Sequence, residues 1–374
     1  MQIDTNQIAE ECIKTIRDKI QNLTRLNIIV AGKTGVGKST LINSVFREKM
    51  AETGIGRPIT PHMRQIKKEG FPLTIYDTRG FELGKEAQVE VRDKIIDTIH
   101  KGYASKEIDD MVHCIWYCVN MASNRLEEEE IEWIKSLAEQ NKDYQVPIII
   151  VLTQCFSKKK AQEMRNFILD ENLDVVQVVP VLADDYVAKA FGLDVLINVM
   201  TQALPGELLD TLHNIQIVNN EAKKRHAQAA VVAATAAAFG EGFAPIPFAD
   251  CAALIPTQVA MIASITAIYG FDVNKSFLTA FTSSVLGTAG ATIAGKTLVS
   301  NIMKFIPGAG TILGGTISGA TAGLLTTALG ETYIIMEAIL AGEMKMNDLE
   351  TKEGKEKVIG IFKNKVASGN VATA

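Results

Sequence analysis

Up to Ala203, short runs of consecutive apolar residues alternate with stretches in which apolar positions recur every three or four residues. The runs Asn27–Ala31, Arg64–Glu69, Leu73–Asp77, Val112–Val119, Pro147–Thr153 and Val176–Leu182 read as strands. Helical periodicity covers Ser39–Met50, Lys85–Lys101, Arg125–Gln140, Lys158–Asp170 and Leu193–Ala203. This alternation predicts an α/β domain over residues 26–205, a mostly parallel sheet with helices on both faces. Ahead of it, Ile13, Ile16, Ile20 and Leu23 share one helical face, so residues 1–25 are expected to form an amphipathic helix. Behind it, Glu207–Ala238 reads as one long helix, with a break allowed, leading out of the domain.

The pattern changes near residue 226. Only eight charged side chains occur between Ala227 and Ala341, in a chain that is 22% charged. Three windows, Cys251–Phe271, Ser276–Gly295 and Phe305–Gly330, carry no charge at all. Each is long enough to cross a bilayer, but Ala, Gly, Thr and Ser dominate where large aliphatics would be expected. Gly315, Gly319 and Gly323 recur every fourth residue, and Gly310 and Gly314 make a similar pair. Such spacing clears a stripe along which a second helix can approach closely, in a membrane or in a tight soluble bundle. An all-α, Ala/Gly-rich domain is therefore expected over 206–344, followed by a polar tail over 345–374. Two readings stand for it: a compact helical bundle, or hairpins that enter a bilayer, with membrane association preferred. Lys223, Lys224 and Arg225, just before the charge-poor region, fit an anchor for anionic headgroups and equally a solvated helix face.

Composition narrows the class. A net charge of -5 gives no reason to expect a nucleic-acid partner. Five cysteines without C-x-x-C spacing indicate a reducing compartment, and Cys114 and Cys118 sit in an apolar run as small buried hydrophobes. The first 25 residues lack the apolar core of a secretory signal. A cytoplasmic location, at the cytoplasmic face of a membrane, is the resulting expectation. Glu127–Glu130 open a helix, where negative charge is favoured, and read as a solvated face.

The chemistry lies in Gly32-Lys33-Thr34-Gly35-Val36-Gly37-Lys38-Ser39, which fits G-x-x-x-x-G-K-[ST] between a strand and a helix. Glycines at 32, 35 and 37 let successive N–H groups turn inward toward phosphate oxygens, at the positive end of the next helix. The cradle is expected to comprise Gly32, Thr34, Gly35, Val36, Gly37, Lys38, Ser39 and Thr40, with Lys38 on the β- and γ-phosphates. Asp77-Thr78-Arg79-Gly80 follows a strand, so Asp77 can hold Mg²⁺ through water and Gly80 can offer its N–H to the γ-phosphate. Arg57–Pro61 reads as a mobile loop carrying Thr60, the candidate hydroxyl for Mg²⁺, with Thr53 its competitor. Ser39, Thr60 and Asp77 form the expected Mg²⁺ set; Lys38, Thr60 and Gly80 the expected catalytic set.

In order and spacing these three segments resemble the translation-factor-related GTPases, close to the Era and TrmE branch, over residues 26–205. Pro245–Asp250 and Ile268–Gly270 are similar to a small-residue-rich helical domain of unknown function attached to some bacterial GTPases. A looser similarity is to immunity-related and dynamin-like GTPases. The resemblance implies binding of GTP and GDP with Mg²⁺, and hydrolysis. Where such proteins carry [NT]-K-x-D to read guanine, this chain has Thr153-Gln154-Cys155-Phe156, so a bidentate carboxylate contact is missing. Thr153, Gln154 and the backbone of Ala183 remain as base-side candidates, with Asp184 or Asp185 as substitutes for the lost acid. Phe81 stands where some relatives keep a water-orienting glutamine, which implies slow hydrolysis unless a partner supplies the missing group. A homodimer through the nucleotide domain is one such partner, with Arg79 a contributor.

Overall fold

The computed structural model describes residues 5–53, 55–60, 63–78, 85–123, 126–185, 188–241, 246–247, 255–271, 273–286, 316–317, 319–342 and 351–368. They form two compact units: Leu23–Ala222, and Met1–Asn22 together with Lys223–Ala374.

The first unit is built on a seven-stranded sheet in the order β2-β3-β4-β1-β5-β6-β7. In chain order its elements are β1 (Leu26–Ala31), α2 (Lys38–Val45), α3 (Met50–Thr53), β2 (Ile55–Thr60), β3 (Met63–Lys67), β4 (Leu73–Thr78) and α4 (Lys85–Ser105). There follow β5 (Cys114–Asn120), α5 (Glu128–Gln140), β6 (Ile148–Thr153), α6 (Lys158–Asp170), β7 (Gln177–Pro180), α7 (Leu193–Ala203) and α8 (Leu209–Ile215). Strands β4, β1, β5, β6 and β7 run parallel, while β3 is antiparallel to β4 and to β2. Alternate residues of β1 feed two cores. Ile28 and Val30 pack with Leu41, Ile42 and Leu196 on one face; Ile29 and Ala31 pack with Ile95, Ile134 and Ile168 on the other. Helices therefore cover both faces, and the consecutive apolar runs follow from burial on both sides.

Three expectations change here. Ile55–Thr60 forms the edge strand β2 rather than a mobile loop, and Pro58 is tolerated because an edge strand has one side free of ladder bonds. Helix α2 ends at Val45 instead of reaching Met50, because Phe46 turns extended and bridges Gln216. The break allowed in the long stretch from Glu207 falls between α8 and α9 (Asn220–Glu241). Gln216 Oε1 accepts from the N–H groups of Val218 and Asn219, and Asn219 Oδ1 then accepts from Ala222 N as the N-cap of α9. Leu208, Leu212, Ile215 and Ala222 join the α2-side core, so the compact unit extends past residue 205, where the sequence suggested a boundary, to Ala222.

The second unit gathers α1 (Thr5–Gln21), most of α9, α10 (Ile255–Tyr269), α11 (Lys275–Leu286), α12 (Gly319–Gly342) and α13 (Lys352–Ser368). A two-residue pairing of β8 (Ile246–Pro247) with β9 (Thr316–Ile317) is the sole departure from all-α among the described residues. Its core includes Ile8, Cys12 and Ile16 of α1 with Val231, Met261, Ile265, Phe277, Phe281 and Tyr333. The amphipathic N-terminal helix thus belongs to this unit. Part of the expected polar tail does too, since Val358 and Phe362 of α13 are buried in the same core. Gly330 shows why small residues recur: a Cβ there would lie 2.7 Å from a methyl of Val231 and 2.8 Å from the sulfur of Met261. Gly310, Gly314 and Gly315, and parts of all three uncharged windows, lie outside the described residues.

Among the described residues no helix is long and apolar enough to cross a membrane. Nor is Lys223 placed to meet lipid: it is 5% exposed and its Nζ donates to Tyr269 O at 2.9 Å. Lys224 is half-buried and Arg225 exposed. The basic cluster therefore splits between the unit's interior and its surface, because successive helix positions point about 100° apart.

Candidate nucleotide-binding site

The parallel strands β4, β1, β5, β6 and β7 all end on one edge of the sheet, so Ala31, Thr78, Asn120, Thr153 and Pro180 share that edge. The loop from Gly32 to Gly37 leaves β1 there. Gly32, Gly35 and Gly37 adopt φ of 136°, 75° and 96°, conformations that a side chain would resist. Helix α2 starts at Lys38 without a side-chain cap on its N-terminus, and Ser39 and Thr40 are exposed on its first turn. That leaves first-turn N–H groups directed at the loop's mouth, the arrangement that binds anions. Lys38 is 8% exposed, and its Nζ donates to the carbonyls of Gly32 at 2.8 Å and Lys33 at 2.9 Å. The ammonium is thereby held against the loop.

Sequence reasoning missed how this loop is braced. Thr153 and Gln154, expected on the base side, serve the phosphate loop: Thr153 Oγ1 bonds Val36 O, and Gln154 Nε2 donates to Gly35 O at 3.0 Å. Gln154 takes a φ of 55° to make that reach. On the other flank, Lys33 Nζ lies 2.8 Å from Glu127 Oε2 and 3.1 Å from Glu130 Oε2. Burial lowers the Lys33 pKa, but the two carboxylates outweigh it and the net shift is upward. Glu130, read as part of a solvated face, is buried and accepts from Tyr117 Oη at 2.8 Å. Burial and the neighbouring Glu130 charge hold the Tyr117 hydroxyl well above its ordinary pKa, so it stays a donor. A run of four glutamates gives no hint of which one turns inward.

Asp77 is the penultimate residue of β4, one strand from the phosphate loop, and is 5% exposed. Its Oδ2 accepts from Arg64 Nε of β3 at 2.9 Å, and its Oδ1 is buried without a hydrogen-bond partner among the described residues. A buried acid with one oxygen unshared fits a site that holds a hydrated Mg²⁺, whose water would supply the missing donor. Ser39, exposed at the start of α2, fits the same ion. Thr60 closes β2 opposite Met63, but its side chain and that of Thr53 are not among the described ones. Arg79, Gly80 and Phe81 lie outside the described residues. Cys118, on β5 below the loop, has its thiol pushed up to about 12 by burial, against a downward pull from Lys38, so it stays protonated.

On the base side the sequence alternatives separate. Asp185 Oδ1 accepts from Ala190 N at 2.6 Å and closes its own loop. Asp184 is exposed, and Ala183 packs half-buried against the α2-side core. Phe156 is exposed where a guanine-reading acid would sit.

Within the phosphate loop, Gly32 is the glycine least able to change. A Cβ there would lie 2.4 Å from the carbonyl oxygen of Cys118, at a φ that L residues avoid. Gly32→Ala must displace the loop from β5, and we expect it to weaken triphosphate binding by at least about tenfold and to destabilise the unit by roughly 1–3 kcal/mol. Calorimetric titration together with denaturant unfolding checks both numbers.

Comparison with known proteins agrees with this geometry. Residues 27–154 match the family model described as 50S ribosome-binding GTPase, and residues 207–357 match a domain of unknown function, DUF697. The chain is 23% identical over 240 residues to septin-14 of Mus musculus, covering 58% of this chain and 53% of that protein. It is 38% identical over 89 residues to translocase of chloroplast 90 of Arabidopsis thaliana, covering 23% of this chain and 11% of that one. The chain spans about half the length of septin-14. Cdc11 from Saccharomyces cerevisiae, a solved structure, aligns with a TM-score of 0.28 and 21% identity over 40% of this chain and 65% of that chain, too weak a superposition to add to the fold described above. These relatives give no support to the Era and TrmE branch in particular; a P-loop GTPase domain is what they share with this chain.

Proposed function

We propose that this chain, which carries a P-loop GTPase domain followed by a domain of unknown function, binds GTP with Mg²⁺ and hydrolyses it slowly to GDP and phosphate. One observation carries the reading: an uncapped helix start and the Lys38 ammonium meet in one glycine loop, next to the strand that carries the half-satisfied acid Asp77 near its end. The loop N–H groups would meet phosphate oxygens, Lys38 would exchange its carbonyl partners for them, and both would neutralise charge as it builds there. Ser39, Thr60 and Asp77 would hold the Mg²⁺, which supplies charge neutralisation to the phosphates when bound. Thr153 and Gln154 fix the loop from β6, so the amides are oriented before the nucleotide arrives. Phe81 offers no hydrogen bond to an attacking water, which is why turnover is slow in this reading. A second copy docking through the nucleotide domain is the simplest source of the missing group. Guanine is preferred on the strength of the domain match, although the base-reading acid is replaced by Phe156.

The test is calorimetric titration of the full chain with GTP and, separately, ATP in Mg²⁺, followed by multiple-turnover phosphate release at several protein concentrations. Micromolar GTP binding, weaker ATP binding and a rate per molecule that rises with concentration support the proposal. Equal affinity for both nucleotides removes the guanine assignment. Absence of heat with either one removes the reading as a whole.

A further inference from the structure

Arg64 belongs to none of the sequence motifs, yet it is the partner that the fold gives to Asp77. The two residues face each other in the register of β3 and β4. The contact runs through Nε alone, to Oδ2, while the other carboxylate oxygen stays buried and unshared. The acid is nearly inaccessible, whereas the arginine side chain is 31% exposed and can retreat toward solvent. The Cys118 thiol feels the charges of both Lys38 and Asp77, so this pair lies within electrostatic reach of the phosphate loop.

An ordinary cross-strand ion pair would explain the contact as sheet stabilisation. Two features argue for more. Asp77 occupies the strand end where the proposed function needs a carboxylate for a divalent ion. Its charge is also already matched by Arg64, which makes a second cation at the same carboxylate less welcome. Building on the reading of Asp77 as a magnesium-holding acid, we propose that Arg64 is a positioning residue that sets how much Mg²⁺ this chain needs to bind GTP tightly. It aims Oδ1 away from itself and supplies the counter-charge for Asp77 until the ion arrives. Mg²⁺ must then share the carboxylate with a guanidinium, and its affinity is held down. Nucleotide binding becomes sensitive to free Mg²⁺ over a higher range than the bare ligand set would give.

The experiment titrates GTP into the full chain by calorimetry at free Mg²⁺ from zero, with EDTA, to saturation, and reads the midpoint of the Mg²⁺ effect. Arg64→Gln keeps a hydrogen-bond donor without the charge. It is expected to move the midpoint about tenfold lower, the size that removal of one nearby unit charge gives at a partly screened site. Arg64→Met keeps much of the apolar stem without the charge and is expected to shift the midpoint the same way, so either variant decides the matter if the other folds poorly. Arg64→Lys retains the charge and is expected to stay within about twofold of the parent protein, since both side chains carry one positive charge. A midpoint that is unchanged or raised in the two neutral variants overturns the role of Arg64. If GTP binding by the parent protein ignores Mg²⁺ altogether, the reading of Asp77 fails as well, so the two failures are told apart.

Discussion

Lys38→Ala is expected to remove measurable triphosphate binding, a loss of at least about a hundredfold, or roughly 3 kcal/mol. The side chain is buried against its own loop, and its ammonium is committed to the carbonyls of Gly32 and Lys33. Alanine deletes the cation that would bridge loop and phosphates, and it leaves those carbonyls without that donor. The fold should survive, because the loop is still held by Thr153, by Gln154 and by the ion pairs of Lys33. Losing two hydrogen bonds to backbone oxygens costs about 1–2 kcal/mol of stability. Calorimetry with GTP, alongside an unfolding curve, separates the two effects. An affinity within threefold of the parent protein would show that the glycine loop is not where the phosphates lie.

The second expected result concerns the helical unit. Glu337 of α12 is wholly buried, and neither carboxylate oxygen has a partner in hydrogen-bond geometry among the described residues. Burial pushes its pKa up to about 8, with the Tyr333 hydroxyl and the Lys223 charge pulling it partly back. Tyr333 Oη lies 2.7 Å from Thr266 Oγ1, which itself donates to Ile262 O. The sign follows from linkage: the folded form keeps the proton up to about pH 8, whereas the unfolded chain releases it near the ordinary value of 4.5. Stability from this group is therefore complete below pH 4.5 and is lost as pH rises toward 8. The loss across that window is on the order of 4 kcal/mol.

Glu337→Gln removes the titration. We expect it to stabilise the helical unit by about 1–3 kcal/mol at pH 8 and to change little at pH 5. Denaturant unfolding of both proteins at the two pH values gives the comparison. Parallel pH dependence in the two would rule out Glu337 as the group responsible.

Particular residues show how far the sequence reaches. The phosphate loop was legible because its glycines, Lys38 and Ser39 are neighbours in the chain and act through local backbone geometry. Asp77 was legible for a similar reason, as the last acid of an apolar run. Arg64 was not, since its meaning depends on β3 lying antiparallel to β4 in one register. Glu130 and Lys223 share that history. Each sits in a charged cluster that looks solvated, and each is buried by an element that the cluster itself does not specify. The Thr153–Gln154 pair was located correctly at the end of β6, but its contacts lie with Val36 and Gly35 across the sheet edge.

Period and composition along the chain were enough to establish a two-sided parallel sheet, a glycine loop for phosphate and a charge-poor helical half. Those properties are set by residues within a few positions of one another, where spacing and backbone conformation do the selecting. Which charges turn inward, which strand supplies Asp77 with a counter-cation, and which unit claims residues 1–22 and 206–222 depended on contacts between distant segments. Such contacts are chosen by the free energy of packing whole elements together, and no local pattern encodes it.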